Sequence, residues 1–413
     1  MTTPAFAAEA AAILPELQAL RRELHRTPEL GLQLPETQRR VLGELDPLGL
    51  EITLGERLSS IVAVLRGGRP GPTVLLRGDM DALPVVEQTG LDFASANGNM
   101  HACGHDLHTA GLVGAARLLA AHRDELAGDV VFMFQPGEEG HGGAKIMLDE
   151  GLLDASGQKP VAAYGIHVAP GPFGVFATRV GAAAAGSNEL TITVRGRGGH
   201  GSQPHQVLDP VPVAAEIVLA LQTFATRRFD VFDPIVLSVT QLEGSDAVNV
   251  IPETVTLRAT VRTLSAESRR RVAEEAPRLA EHIAAAHGLT AEAVFDEQYP
   301  VTLNDPEATE ETLAWLGEAF GEPRVQRMPT PSMGSEDFSY VLDEVPGTFL
   351  MLATSPADSD HTAAEFNHSP RVVFDDAVLG DQAAALATLA WRKLASPEGS
   401  TVAGDNARGR VSP

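Results

Sequence analysis

The chain has 413 residues, of which 44% are hydrophobic, so its length indicates two or three domains with substantial cores. Its formal net charge is -24, from 31 basic and 55 acidic residues, which argues against nucleic acid or an anionic membrane as a partner. A single cysteine excludes an internal disulfide framework. The sequence has neither a signal-peptide pattern at its start nor an apolar run of 18 residues, so we expect a cytoplasmic protein without a transmembrane helix.

The first quarter of the chain predicts helices followed by buried strands. Apolar residues recur at helical spacing over 8–26, and a second helix is expected over about 35–48. The segments 61–65 and 73–76 are rich in β-formers and almost wholly apolar, which is typical of buried strands. Between them, the glycines and prolines of 67–72 predict a turn.

Helices and strands continue to alternate in the next segment. Helices are expected over about 108–121 and 143–151, and buried strands over 129–134 and 161–166. This alternation indicates an α/β domain in which helices flank the sheet.

Polar side chains follow three of these buried strands. Asp79 and Asp81 come directly after the strand at 73–76, Glu138 and Glu139 follow the strand at 129–134, and His167 follows the strand at 161–166. Ligand sites of open α/β sheets lie at the carboxyl ends of the strands. We therefore expect these side chains to meet, and the two adjacent glutamates could serve, in either order, as metal ligand and proton carrier.

Histidines surround the single cysteine, in the order His101, Cys103, His105 and His108. A lone cysteine is often just a small buried hydrophobe, but this setting favours a metal ligand. Thiolate, imidazole and carboxylate are the groups that hold zinc and other first-row divalent metals. His101 and His108 are assigned structural roles or roles behind the ligands.

The pattern changes near Ser187, where apolar and polar residues begin to alternate as in a half-exposed strand. The expected elements that follow have the order βαββαβ and an antiparallel sheet. They are a strand at 190–194, a helix at 209–226, strands at 235–242 and 254–263, a helix at 266–287 and a strand at 290–297.

We interpret 187–298 as a ferredoxin-like α+β domain inserted into a discontinuous first domain formed by 1–186 and 299–396. Residues 397–413 are expected to be a disordered tail. The returning elements are a helix at 307–320, a strand at 348–353 and a helix at 374–395.

Nine motifs in order resemble the aminoacylase/carboxypeptidase family of co-catalytic metallohydrolases. Within that family the sequence is similar to the amidohydrolase branch of hippurate hydrolases, indoleacetyl-amino-acid hydrolases and N-acetyldiaminopimelate deacetylases. The resemblance runs from about Leu17 to Leu394. The motifs are RELH at 22–25, DMDALP at 79–84, HACGHDLHT at 101–109, QPGEEG at 135–140, GIHV at 165–168, GRGGHGSQPH at 196–205, NVIP at 249–252, MGSEDFS at 333–339 and FNHSP at 366–370.

The resemblance implies an α/β catalytic domain with a mixed sheet, two divalent metal ions per subunit at the strand ends, and an inserted domain used for dimerisation. Zinc is the expected metal, with manganese, cobalt or nickel as alternatives. Glu138 corresponds to the general base. The implied ligands are Cys103, His105, Glu139, His167 and His368.

The sequence departs from the wider family after the first strand. Other members have His-x-Asp where this chain has Asp79-Met80-Asp81. We expect His105 to supply the missing imidazole and Asp81 to orient a ligand.

The resemblance also implies contacts with substrate. His200 corresponds to a histidine that holds the substrate carbonyl oxygen across the dimer, and Asn249 and Arg262 to residues that hold its carboxylate. Gly334 and Ser335 open a turn whose backbone N–H groups could bind the same carboxylate.

These residues predict a metal-dependent amidohydrolase that cleaves N-acyl-L-amino acids, hippurate-like or N-acetylated, as a homodimer or tetramer. A dipeptidase or carboxypeptidase is the alternative within the family, and it differs in acting on substrates whose acyl part carries a free amine. A non-catalytic metal-binding protein is a third interpretation, which the presence of Glu138 disfavours.

Overall fold

The computed structural model describes residues 3–396, so the tail predicted at 397–413 lies outside the described residues. Within that range, none of the helices has both the length and the apolar character needed to cross a membrane. The helices are α1 Phe6–Arg26, α2 Pro35–Leu45, α3 His105–Ala121, α4 Gly143–Asp149, α5 Pro210–Arg227, α6 Ala266–Ala286, α7 Pro306–Phe320, α8 Ser339–Glu344 and α9 Leu379–Ala395.

The strands over the same residues are β1 Glu51–Leu54, β2 Ile61–Leu65, β3 Arg69–Asp79, β4 Ala127–Gln135, β5 Ala162–Ala169, β6 Phe176–Thr178, β7 Gly181–Ala184, β8 Gly186–Arg195, β9 Gly199–His200, β10 Val236–Glu243, β11 Val250–Ile251, β12 Thr254–Thr263, β13 Thr290–Tyr299, β14 Thr302–Asn304, β15 Val325–Arg327 and β16 Gly347–Ala353.

Eight strands form a mixed sheet in the order β1-β2-β4-β3-β5-β16-β6-β15. Its central strands β4, β3, β5 and β16 are mutually parallel, whereas β2 runs antiparallel to β4. Along β4, Val130 and Phe132 face the core under α1, α3 and α9, while Val131 and Met133 face the core under α4 and α8. Because both faces are covered, the strand is apolar at every position from Val130 to Phe134, as the sequence predicted.

A second, four-stranded antiparallel sheet has the order β10-β12-β8-β13 and is covered by α5 and α6. Leu190, Ile192 and Val194 of β8 point into a separate hydrophobic core beneath these helices. The chain order β8, α5, β10, β12, α6, β13 matches the predicted βαββαβ arrangement, although a short β9–β11 pair adds to it. The division into domains at 187–298, and its use in dimerisation, stay predictions.

The turn predicted at 67–72 is wrong in its second half, because β3 already begins at Arg69 and pairs there with Ala127. The glycines of this segment allow close packing. A Cβ on Gly67 would lie 2.2 Å from the carbonyl oxygen of Gly128, and a Cβ on Gly71 would lie 2.2 Å from that of Ala127. The last helix begins at Leu379, later than predicted, because a capped 3₁₀ turn precedes it.

Candidate metal centre and cavity

The polar residues at the three strand ends lie at one edge of the large sheet. Asp79 is the last residue of β3, Glu138 and Glu139 follow β4, and His167 lies near the end of β5. The order β4-β3-β5 makes these strands adjacent and parallel, so their carboxyl ends meet. The convergence expected from the sequence is therefore present.

The five predicted ligands form two overlapping groups that share Cys103. One group contains Cys103, His105 and His167, and the other contains Cys103, Glu139 and His368, with the candidate donor atoms of each group within 4.8 Å of one another. The Sγ atom of Cys103 is 3.4 Å from Nε2 of His167 and 3.3 Å from Nε2 of His368. Nε2 of His368 is 3.2 Å from Oε1 of Glu139.

Hydrogen bonds on the far side of two imidazoles set their tautomers. Nδ1 of His105 donates to the backbone oxygen of Asp81 at 2.8 Å, and Nδ1 of His167 donates to that of Val168 at 2.8 Å. Each ring therefore presents Nε2 to the cluster, and this is the nitrogen that would bind a metal. Nε2 of His105 is buried and makes no hydrogen bond in the described part of the chain, although Oδ2 of Asp79 lies 3.3 Å away, and a nitrogen in this state fits a metal ligand.

The backbone of His368 is strained. Its φ of 73° is the one positive φ of a non-glycine residue among residues 3–396. Its backbone N–H donates to the carbonyl oxygen of Ala102 at 2.8 Å, which holds it next to the loop of Cys103. Strain of this kind persists where the surroundings impose it and is concentrated at functional sites.

Asp81 holds the backbone of the glutamate pair. Its Oδ1 accepts from the N–H of Glu138 and its Oδ2 from the N–H of Glu139, both at 3.0 Å. It therefore orients residues that face the cluster and is not itself in either group that contains Cys103.

Asp79 and His108 form a hydrogen-bonded pair outside the two ligand groups that share Cys103. Nδ1 of His108 donates to Asp79 at 2.5 Å, and Nε2 of His108 accepts from the N–H of Val168 at 2.8 Å. Since both of its nitrogens are occupied, His108 supports the end of β5. Burial lowers the pKa of His108 to about 4, which keeps the ring neutral.

A buried charged network lies beside the glutamates. Arg77 of β3 contacts Asp79 at 3.0 Å, Glu336 at 2.6 Å and Asp337 at 3.3 Å. The MGSEDFS motif contains Glu336 and Asp337, but the sequence alone assigned no role to them or to Arg77. The two adjacent acidic residues, in a motif of otherwise apolar and small residues, could have indicated a buried charged pair.

The surroundings of Glu138 and Cys103 shift the pKa values of these two groups in opposite directions. Burial raises the pKa of Glu138 well above its usual range, and the nearby carboxylates of Glu336 and Glu139 add to this rise. Burial opposes ionisation of the Cys103 thiol, but the facing rings of His167 and His105 hold the pKa of that thiol well below its usual range. Cys103 is thus suited to bind a cation as a thiolate, and Glu138 to carry a proton.

The cluster opens into a cavity of about 480 Å³. Its polar wall includes Glu138, Arg262 and Gly334. The larger apolar side chains of its wall are Met328, Phe349, Met351 and Phe366.

Arg262 reaches this cavity from β12. Its Nη1 donates to Thr260 Oγ1 at 2.6 Å, and no carboxylate of residues 3–396 forms an ion pair with it. Burial lowers the pKa of Arg262, but guanidinium remains charged at neutral pH.

His200 and Asn249 do not reach the cavity of their own chain. Both are exposed in the short β9–β11 region, where the N–H of Gly201 donates to the backbone oxygen of Asn249 at 2.8 Å. Nδ1 of His200 accepts from Oγ of Ser202 at 2.9 Å. Their proposed contacts with substrate would require another chain and stay predictions.

Comparison with known proteins places this geometry in a family. The model of peptidase family M20/M25/M40 matches residues 75–392. The chain belongs to this family.

Curated relatives and solved structures agree with the family. Thermostable carboxypeptidase 1 of Saccharolobus solfataricus is 37% identical over 377 residues, which are 90% of this chain and 93% of that protein. N-acetylcysteine deacetylase of Bacillus subtilis is 36% identical over 351 residues, which are 84% of this chain and 90% of that protein. The crystal structure of a dinuclear metal-binding M20 peptidase from Bacillus subtilis is 33% identical with a TM-score of 0.79, covering 93% of this chain and 99% of that chain.

This M20/M25/M40 member is therefore a metal-dependent hydrolase that acts on amide bonds. Its mixed α/β fold agrees with the fold predicted from the sequence.

Proposed function

We propose that this M20/M25/M40 hydrolase cleaves N-acyl-L-amino acids to a carboxylic acid and a free amino acid. The observation that carries the proposal is Arg262, a guanidinium that forms no salt bridge among the described residues, in the same cavity as Glu138 and the ligand cluster. An arginine in this state is suited to bind the carboxylate of an amino acid in a bidentate manner. Backbone N–H groups near Gly334 would assist it.

The donor set fits two divalent ions: Cys103, His105 and His167 would hold one, and Cys103, Glu139 and His368 would hold the other. The contacts of 3.2 to 3.4 Å between donors agree with ligands of one ion at bond lengths of about 2.0–2.3 Å. Zinc suits the thiolate and imidazoles, and manganese, cobalt and nickel are the alternatives. Bound ions of this type supply Lewis acidity, which activates water and polarises a carbonyl group.

Glu138 acts as the proton carrier. Its carboxylate accepts a proton from the attacking water and donates it to the leaving nitrogen of the amide. The raised pKa of Glu138 favours the first half of this transfer, because a carboxylate with a raised pKa accepts a proton more readily than an ordinary one. Asp81 fixes the position of Glu138 by accepting its backbone N–H.

His200 and Asn249 would serve the cavity of a second subunit. Leu219 of α5 and Leu242 of the edge strand β10 are exposed apolar side chains, which supports burial of this side of the second sheet in a homodimer. In such a dimer His200 would hold the substrate carbonyl oxygen, and Asn249 would assist Arg262 with the carboxylate.

The carboxypeptidase among the relatives favours a second candidate, hydrolysis of dipeptides or peptide C-termini. A carboxylate is the side chain best suited to bind a free α-ammonium group. The carboxylates in the cavity wall are those of Glu138, Glu139 and Glu336, and Glu336 is already paired with Arg77 at 2.6 Å. With the other two assigned to catalysis and metal binding, no acid in the described wall of this cavity remains for an ammonium group, which supports an uncharged acyl group.

The test is a substrate panel with enzyme reconstituted separately with zinc, manganese, cobalt or nickel. N-acetyl and N-benzoyl derivatives of one amino acid are compared with a dipeptide of the same amino acid and with the N-acyl compound amidated at its carboxylate. We expect kcat/KM for the N-acyl acids to exceed both other classes by at least about tenfold, the effect of one lost charged contact. Faster hydrolysis of the dipeptide would replace the proposal with the second candidate.

Glu138→Gln is the matched control in this panel. It keeps the size of the side chain and removes the base, so we expect turnover to fall by at least about 10²-fold with metal content unchanged. If Glu138→Gln instead loses metal while Glu139→Gln retains it, the two glutamates have the opposite roles.

A further inference from the structure

Tyr299 connects the second sheet to the loop of the proposed base. It is the last residue of β13 and lines the cavity. Its hydroxyl donates to the backbone oxygen of Glu138 at 2.7 Å and accepts from the N–H of Gly142 at 3.2 Å. Burial raises the pKa of Tyr299, so the hydroxyl remains a donor.

The turn that Tyr299 contacts is built on glycines. Gly137, Gly140 and Gly142 have φ values of 75°, 81° and 64°, the left-handed region that other residues disfavour. A backbone so rich in glycine has little stiffness of its own. Asp81 holds this turn through two N–H groups, and the hydroxyl of Tyr299 holds it at the carbonyl of Glu138.

An irregularity in β13 directs the side chain of Tyr299 toward the turn that contains Glu138. The pairing of β13 with β8 is regular up to Glu297, shifts at Gln298, and resumes with Tyr299 opposite Ser187. Bulges of this kind re-aim side chains next to active sites.

The register also links Tyr299 to the proposed carboxylate anchor. Ser187 of β8 lies opposite Tyr299 on one side and opposite Arg262 of β12 on the other. Arg262, Ser187 and Tyr299 therefore form a row across three adjacent strands, and all three line the cavity. Neighbouring strands are about 4.8 Å apart, so the row spans about 10 Å.

We propose that Tyr299 is a positioning residue for amide hydrolysis, whose hydroxyl holds the turn of Glu138 at the position set by the strand row that carries Arg262. Capture of the substrate carboxylate and placement of the proton carrier are then coupled through one rigid sheet edge. This inference rests on the proposed role of Glu138.

The three tyrosines of the chain provide matched variants. Tyr299→Phe removes the hydroxyl and retains the ring. Tyr340→Phe removes a hydroxyl that donates to the backbone oxygen of Gln298, at the irregularity that precedes Tyr299. Tyr164→Phe removes a buried hydroxyl that has no partner within residues 3–396.

We expect Tyr299→Phe to lower kcat by about tenfold, because displacement of a reacting group by a fraction of an ångström has effects of this order. KM should stay within about twofold and metal content should be unchanged. Tyr164→Phe should retain the kcat of the unmodified enzyme. Tyr340→Phe should lower kcat by less than Tyr299→Phe does, because it acts on the turn only through the irregularity at Gln298. A kcat for Tyr299→Phe equal to that of Tyr164→Phe overturns the inference.

A double-mutant cycle separates positioning from a general structural role. In the Glu138→Gln background, Tyr299→Phe should change the residual rate less than about twofold, because the group that it positions is already gone. The same tenfold loss in both backgrounds overturns the inference and leaves the proposed function intact. If Glu138→Gln alone retains full activity, the proposed role of Glu138 as proton carrier is wrong.

Discussion

Two side chains outside the ligand groups position the candidate site through hydrogen bonds. Asp81 accepts two backbone N–H groups from the glutamate pair, and His108 connects Asp79 to the backbone of Val168. These hydrogen bonds determine how accurately the metal ligands and the base are placed. That accuracy matters because ligands and bases function only within narrow limits of distance and angle. The sequence marked Asp81 as an orienting residue, and the structure shows which atoms it would orient.

Asp81→Asn should reduce both activity and stability. Asparagine offers one oxygen where two N–H groups need acceptors, so one N–H would face an amide NH₂ group. We expect a loss of about 1–3 kcal/mol in the free energy of unfolding, the cost of an unsatisfied buried donor, together with a lower kcat. Denaturant unfolding and steady-state kinetics measure the two effects.

Asp209→Asn is the control for Asp81→Asn, because Asp209 accepts one N–H, that of Val211, at the start of α5. Asparagine fills such a capping position equally well, so stability and kcat should both be retained. Equal behaviour of the two variants would show that the carboxylate of Asp81 has no special role.

Alkylation of Cys103 should report occupation of the metal centre. As the single cysteine of the chain, it can be labelled without ambiguity. A thiolate bound to metal is shielded, whereas the metal-free thiolate is reactive since its pKa is depressed. We expect slow iodoacetamide labelling of the metal-loaded protein, fast labelling after chelation, and no recovery of metal binding by the alkylated protein. Equal rates with and without metal would place Cys103 outside the metal site.

At the scale of elements, β3 brings a charged network into the centre of the large sheet. Arg77 and the three carboxylates that it contacts are all less than 5% exposed. Charges buried to this degree are tolerated only when paired, so the arginine holds the loop of Glu336 and Asp337 against the end of β3. The same network lies next to Glu138, which links the stability of this sheet edge to the site.

Arg77→Met should therefore be strongly destabilising. The substitution leaves carboxylates buried without a counter-charge, a change that costs about 3–5 kcal/mol in comparable buried pairs. Arg258→Met is the control on β12, where the salt bridge to Glu243 is roughly half exposed and contributes at most about 1 kcal/mol. Chemical denaturation of both variants measures the difference, and a similar small loss in each would contradict the structural role of Arg77.

At the scale of the whole molecule, the two sheets contribute different parts of the proposed site. The ligand cluster and Glu138 lie at the strand ends of the large sheet and in the loops beside them, and the second sheet provides Arg262 to the same cavity. The exposed β9–β11 region carries His200 and Asn249 away from that cavity. A symmetric pair of chains would allow each to complete the site of the other.

Mixing two inactive variants tests this arrangement. His200→Ala and Glu138→Gln should each be nearly inactive alone with metal still bound. In a mixed dimer one site carries both defects and the other carries neither. Random pairing at equal amounts should restore up to about one quarter of the full activity, because half of the dimers are mixed and each has one intact site of two. Absence of recovery despite proven subunit exchange would place His200 outside the chemistry.

Short strands were among the parts of the fold that the sequence did not indicate. The strands β1, β6, β7, β14 and β15 have three or four residues each, too few for an apolar period to appear. They exist because neighbouring strands offer backbone partners, and that partnership is invisible until the sheet is assembled.

The sequence by itself determined the fold class, the order of the long elements and the residues at the strand ends, because burial imposes a local period and parallel neighbours end at a common edge. Only the tertiary structure decided the tautomers of His105 and His167, the pairing of Arg77 with Glu336, and the contact of Tyr299 with Glu138. These contacts join positions up to 259 residues apart. They depend on long-range packing, on a bulge and on hydrogen-bond direction, none of which produces a periodic signal along the chain.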